Sequence, residues 1–381
     1  MRNWMMAGLG LALLAGAGAA AADKTAPAQA SPVKAAPDAA MPDITTTDMA
    51  DLRRLYAGPP ESWPRPTLLD GAVFTEFGPL PAIAEPAGNP STPEKVALGK
   101  QLFDDPILSG SGQIACSNCH NPELGWGDGL RSSFGHDRQR GARNAPTLIA
   151  VAHRRSFFWD GRAASLEEQA KGPMTNPIEM NGQPADIEAR LNGSGDYPAR
   201  FAAIFGPGPV TLDQIAMALA DYERTIKPRP GKWDRALAKG TQTLSDQELQ
   251  GLHLFRTKAG CANCHNGPLF SDEKFHNLGL SFYGRERQDL GRYAVTGKAE
   301  DVGAFRTPSL RGIASTGPYM HNGLFPSLEN IVDFYNAGGA RPRPTAAQAR
   351  DPLFPTTTPL LRKLGLTKPE REALEAFLRT L

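Results

Sequence analysis

Apolar positions recur at three-to-four spacing over several stretches of the chain, and alternating runs are nearly absent. Ile215, Leu219 and Tyr222 make one stripe; Leu249, Leu252 and Phe255 a second; Leu374, Phe377 and Leu378 a third. This is the period of an amphipathic helix. Each stripe follows a start signal: Thr211-Leu212-Asp213-Gln214, Ser245-Asp246-Gln247-Glu248 and Thr367-Lys368-Pro369-Glu370. In such a capping box the hydroxyl and the later carboxylate or amide satisfy the first free N–H groups of a helix. Ser91-Thr92-Pro93-Glu94 predicts a fourth start, for a helix running to about Phe103. The fold class is therefore mainly α, with long loops, because Gly (39) and Pro (34) are abundant among the 381 residues.

The ends read differently. Arg2, an apolar run from Met5 to about Ala20 and the small residues Ala20-Ala21-Ala22 before Asp23 have the form of a cleaved secretory signal, 1–22. An uncleaved anchor is the other reading, and either one exports the body. Residues 23–42 are an Ala/Pro-rich tether. Residues 43–90 carry Pro59-Pro60, Trp63-Pro64, Pro79 and Pro81 and predict an irregular strap with no assignable chemistry. The turn Pro228-Arg229-Pro230-Gly231 divides the remainder into 91–230 and 231–381. With 41 Lys+Arg against 40 Asp+Glu, the net charge of +1 argues against nucleic-acid binding.

All four cysteines fall into two copies of one pattern, Cys116-Ser117-Asn118-Cys119-His120 and Cys261-Ala262-Asn263-Cys264-His265. C-x-x-C-H attaches c-type haem: two thiols on one turn bond the vinyl groups and the adjacent His ligates the iron. A zinc site would not need a His fused to each pair, and a dithiol redox site would need only one pair. Lys100-Gln101-Leu102-Phe103 before the first motif and Leu252-His253-Leu254-Phe255 before the second form a weak repeat. Two cytochrome c-like domains, each holding one haem, are the expected architecture.

Further segments carry a resemblance: Gly135-His136, Arg143-Asn144-Ala145-Pro146, Phe158-Trp159-Asp160-Gly161-Arg162, Gly172-Pro173, Ile178-Glu179-Met180-Asn181, Arg306-Thr307-Pro308-Ser309-Leu310 and Pro318-Tyr319-Met320-His321-Asn322-Gly323. Over residues 91–381 the chain resembles the bacterial dihaem cytochrome c peroxidases and their MauG-type relatives. The resemblance implies that His120 and His265 are proximal iron ligands and that His136 is the distal ligand of the first haem. It implies that Glu179 is the distal acid–base residue, with Gln169 and Pro173 completing the pocket, and that Trp159 lies between the haems. Tyr335 stands where the peroxidases place a methionine ligand to the second haem and where the MauG-type enzymes place tyrosine. His321 matches a propionate-contacting histidine, and Asn144, Thr316 and Pro318 match a calcium site. Without the resemblance, His136 is a polar-loop histidine, Gln169 a helix-surface amide, Glu179 a loop carboxylate, Trp159 a core aromatic and Tyr335 a helix aromatic beside Phe334. His153, His253 and His276 have no motif support.

The resemblance implies an exported, periplasmic dihaem peroxidase that reduces hydrogen peroxide with electrons from a small cytochrome c or cupredoxin. It further implies two haem c groups, one calcium ion and a possible homodimer. The alternative is MauG-like oxidation of Trp or Tyr side chains in a partner protein. Tyr335 favours the alternative and His136 the peroxidase. A non-enzymatic dihaem electron carrier is a third reading, against which Glu179 and Gln169 count.

Overall fold

In the computed structural model, which describes residues 48–381, the predicted helices form and bury the predicted stripes. Six helices precede the turn at Pro228: α1 (Met49–Leu55), α2 (Pro93–Asp104), α3 (Leu166–Thr175), α4 (Pro184–Asn192), α5 (Tyr197–Phe205) and α6 (Leu212–Arg224). After it come α7 (Lys232–Lys239), α8 (Asp246–Arg256), β1 (Phe275–Asn277), α9 (Tyr293–Thr296), β2 (Ala304–Arg306), α10 (Leu328–Asn336) and α11 (Lys368–Leu378). The two short strands pair antiparallel, with Phe275 opposite Arg306. The signal and tether, 1–42, lie outside the described residues. No helix among the described residues is long and apolar enough to cross a membrane.

The capping boxes at Thr211, Ser245 and Thr367 are all formed. The α2 start differs by one residue. Thr92, not Ser91, is the cap, accepting from the Lys95 N–H at 3.2 Å. Pro93 explains this, since the residue before a proline is driven into the extended region, and Thr92 has φ −138° and ψ 151°.

Two apolar cores result. The first gathers Leu98, Leu102 and Phe103 of α2 with Ile187, Phe201, Ile215 and Leu219. The second gathers Trp233, Leu249, Leu252, Phe255, Leu374 and Phe377. The weak repeat has a structural counterpart. A Cβ on Gly99 of α2 would lie 2.0 Å from the Ala218 carbonyl oxygen of α6, and one on Gly251 of α8 would lie 2.0 Å from that of Ala373 in α11. Each helix pair thus crosses with a glycine against an alanine backbone, a contact no side chain permits.

The strap is irregular apart from α1 and a single turn at Pro60–Ser62. It is built into the second core, where Leu52, Tyr56, Trp63 and Phe77 are buried. Arg256, fully buried, binds Glu76 of the strap at 2.5 and 2.9 Å and donates to the Pro64 carbonyl at 2.8 Å. α1 is only seven residues long, too short for a helical period to show, and the apolar residues of the strap follow no regular period.

Candidate active site

Both C-x-x-C-H segments fold into a single tight turn, Cys116–Asn118 and Cys261–Asn263. The His120 N–H donates to the Cys116 carbonyl at 3.0 Å, and the His265 N–H to that of Cys261 at 2.8 Å. Each turn therefore presents its thiols and its imidazole together. The imidazoles are fixed alike: His120 Nδ1 lies 3.1 Å from the Trp126 carbonyl oxygen and His265 Nδ1 lies 3.0 Å from that of Phe270. A carbonyl can only accept, so Nδ1 carries the proton and Nε2 keeps the lone pair that binds a metal. Burial lowers both histidine pKa values, which holds the rings in this neutral form. No disulfide forms among the four cysteines. Burial pushes the thiols up, to about 12 at Cys261 and Cys264. The donor set fits covalently bound haem with an axial histidine, twice.

The second motif opens onto a cavity in the protein. Cys261, His265, Trp159 and Tyr335 all line it. Tyr335, on α10, thus shares a chamber with His265. Its phenol is pushed well above the usual range by burial, and further by the Cys264 and Cys261 thiols. Met320 lines the same cavity, so the one thioether of this half is closer to the site than its place in the loop motif predicts.

Asn144, Thr316 and Pro318 also border this space. The Asn144 side-chain amide donates to the Leu130 carbonyl at 2.9 Å, which leaves its amide oxygen pointing elsewhere. Trp159 is buried, and its indole N–H donates to the Asn144 carbonyl at 2.9 Å. Its ring meets that of His321 edge-on, with centroids 6.4 Å apart. His321 is buried, stacks on Phe305 at 3.5 Å, and burial holds its pKa down at about 3.

The first site is assembled around the end of α3. Gln169 and Pro173 are one turn apart and share a face of that helix. Pro173 has no N–H to offer the Gln169 carbonyl, which loosens the helix there. The chain then folds back: the Met180 N–H donates to the Pro173 carbonyl at 3.2 Å and that of Gly182 to Met174 at 2.8 Å. This return carries Glu179, whose Oε1 accepts from the Asn176 side chain at 2.9 Å. Burial raises the Glu179 pKa, against the opposing pull of Arg162. Its charge in turn bears on the Cys119 thiol, which places it towards the first C-x-x-C-H motif.

His136 belongs to the same assembly. Its backbone N–H donates to the Ile178 carbonyl at 3.0 Å and to the Glu179 carbonyl at 2.8 Å. Gly135 makes this approach possible, for a Cβ there would lie 2.1 Å from the Ile178 oxygen. The next two residues, Asp137 and Arg138, both have positive φ. The imidazole Nε2 is 3.4 Å from the Asp137 carboxylate, and Nδ1 is buried without a partner.

Three features had no clear sequence signal. His276, a lone histidine on β1, borders the second site and pairs with Asp272 at 2.8 Å. Arg154 and Arg306 stand in the wall of the larger cavity. Arg306 lies in a segment that carries the resemblance, but Arg154 lies in none. Glu223 is buried on α6 with one carboxylate oxygen unpartnered, and burial raises its pKa to about 8. His253 is a core residue, 2.9 Å from the Tyr56 hydroxyl.

Comparison with known proteins points the same way. The profile of the family described as di-haem cytochrome c peroxidase matches residues 93–243. The cytochrome-c peroxidase IdrP1 of Denitromonas iodatirespirans is 39% identical over 339 residues, covering 81% of this chain and 87% of the relative. The methylamine utilization protein MauG of Methylorubrum extorquens is 39% identical over 313 residues, covering 81% and 84%. Among solved structures, a MauG-like protein associated with microbial copper homeostasis superposes with a TM-score of 0.70 at 32% identity, covering 79% of this chain and 93% of that one.

Proposed function

The chain belongs to the dihaem cytochrome c peroxidase and MauG superfamily and is a peroxidase-type oxidoreductase, and from that premise we propose that it reduces hydrogen peroxide to water with electrons from a small soluble redox protein. The observation that carries this reading is the pairing of Glu179 with His136 beside the first C-x-x-C-H motif. Haem c would be held by Cys116 and Cys119 and by Cys261 and Cys264, with His120 and His265 offering nitrogen to the iron, and would supply the redox chemistry.

The residues of this chain divide the rest of the work. Glu179 takes a proton from one peroxide oxygen and delivers it to the other, and its raised pKa suits a group that must both accept and give. Gln169 is a hydrogen-bonding side chain for bound peroxide, and Pro173 keeps that face uncrowded. His136, held in the same assembly as Glu179, would give way to admit substrate. Trp159, bordering the second cavity, shortens the electron path between the sites. Tyr335 would offer the second site a hard oxygen donor, which would hold the potential low. His321 contacts a propionate, and Asn144, Thr316 and Pro318 supply oxygens to a calcium ion between the domains. We assign 91–230 to the peroxide-reducing domain and 231–381 to the electron-entry domain. Residues 1–22 direct export to the periplasm.

A second reading is favoured by one observation, that Tyr335 and His265 face one cavity. There the protein would use peroxide to oxidise Trp or Tyr side chains of a partner. Mixing the half-reduced holoprotein with peroxide and a reduced small c-type cytochrome separates the two. The peroxidase reading expects two cytochromes oxidised per peroxide consumed. Peroxide loss with the cytochrome left reduced would overturn it in favour of a protein substrate.

A further inference from the structure

The wall of the second-site cavity carries two arginines, Arg154 and Arg306, and no aspartate or glutamate. Arg306 has a counter-ion behind the wall, Glu273, at 3.2 Å. Arg154 has none. It is 9% exposed. Its Nη2 donates to the Thr147 carbonyl at 3.0 Å, and its Nε is buried without a partner. Glu273 also serves the Ser271 hydroxyl at 3.1 Å and the Arg155 N–H at 3.0 Å. Arg306 adds a like charge to the surroundings of Arg154, opposed in part by Glu273, which Arg306 already binds. Burial lowers the Arg154 pKa only to about 9, so the guanidinium is charged at neutral pH.

A buried cation without a counter-charge is strongly disfavoured. Glu273 is already paired with Arg306 and the cavity wall carries no carboxylate, so a direct partner for Arg154 has to come from within the cavity. A planar guanidinium matches a carboxylate in a two-point geometry. A haem tethered through Cys261 and Cys264 brings two propionate carboxylates into this space. We propose that Arg154 is the counter-ion of a propionate of the second haem, a positioning residue that fixes the ring and sets its potential. The proposal rests on the dihaem reading. A fixed cation beside the second centre favours its reduced state.

The test is potentiometric titration of both haems in the fully loaded protein and in two variants, Arg154→Gln and Arg154→Lys, with haem content measured on each sample. The Gln variant is expected to lower the equilibrium constant for reduction of the second haem at least tenfold, about 59 mV for one electron. The Lys variant keeps the charge and is expected to stay within threefold of the parent. Parental potentials in a Gln variant that carries both haems would overturn the proposal, as would a tenfold fall in the Lys variant, which is decisive even where the Gln variant does not mature. Haem content other than two in the parent would instead count against the dihaem reading itself.

Discussion

The backbone N–H of His136 donates to the carbonyl oxygen of Glu179 at 2.8 Å. Residues far apart in the sequence are thereby locked by main chain, and neither side chain is used up in the contact. Both remain available to the first site. The geometry depends on Gly135, because a Cβ there would lie 2.1 Å from the Ile178 oxygen and 2.6 Å from that of Glu179.

Gly135→Ala should therefore damage the first site selectively. The methyl group has to push backbone away, and forced overpacking costs about 1–3 kcal/mol. We expect a lowered melting temperature and a loss of peroxide turnover, with the absorption and EPR signals of the second haem unchanged. Parental turnover in this variant would show that the His136 loop does not matter to the reaction.

Glu179→Gln removes the proton carrier and keeps the shape. Loss of a general acid–base group costs roughly 10²–10⁴ in rate, and kcat/KM for peroxide should fall within that range while both haem spectra stay as they were. The pH profile has a definite sign. Burial raises the Glu179 pKa, and the ionised form is needed to accept the first proton. Turnover in the parent should rise with pH through a carboxyl pKa above the usual range, and this limb should vanish in the variant.

Glu223 gives a stability prediction of opposite slope. Its folded pKa, about 8, is above the unfolded value. The folded state thus holds a proton that the unfolded chain releases, so stability is greatest below the unfolded pKa and falls as pH rises towards 8. The loss across that window is on the order of a few kcal/mol. Glu223→Gln should melt close to the parent at pH 5 and above it at pH 9. Equal melting temperatures at pH 9 would show that the carboxyl finds a partner when ionised.

Tyr335→Met exchanges a hard anionic oxygen for a neutral thioether, which favours reduced iron. We expect the low-spin His/Tyr EPR signal to disappear and the second-haem potential to rise. An unchanged spectrum would remove Tyr335 from the iron and turn attention to Met320 in the same cavity.

Much of this was legible in the sequence where local chemistry decides structure. The caps at Thr211, Ser245 and Thr367 and the stripes behind them need only hydrogen-bond satisfaction and a 3.6-residue period, and they form as read. The two C-x-x-C-H turns are likewise local. The pairing of Gly99 with Ala218 and of Gly251 with Ala373 left only a trace, the shared Leu-Phe after each glycine, because a helix crossing is a property of two segments. Arg154 left none: an arginine beside another arginine reads as surface, and only the fold shows that one of them is enclosed. The burial of the strap left no periodic signal, because its apolar residues, Trp63 and Phe77 among them, enter the second core from irregular backbone.

The account stands on two porphyrins joined to this polypeptide. The most direct measurement is the intact mass and the alkaline pyridine spectrum of protein made in a host that matures c-type cytochromes. It predicts two haems per chain, each held by two thioether bonds, with Cys116→Ser/Cys119→Ser and Cys261→Ser/Cys264→Ser each leaving one. A parent protein that came out colourless, or that carried a single haem, would contradict it.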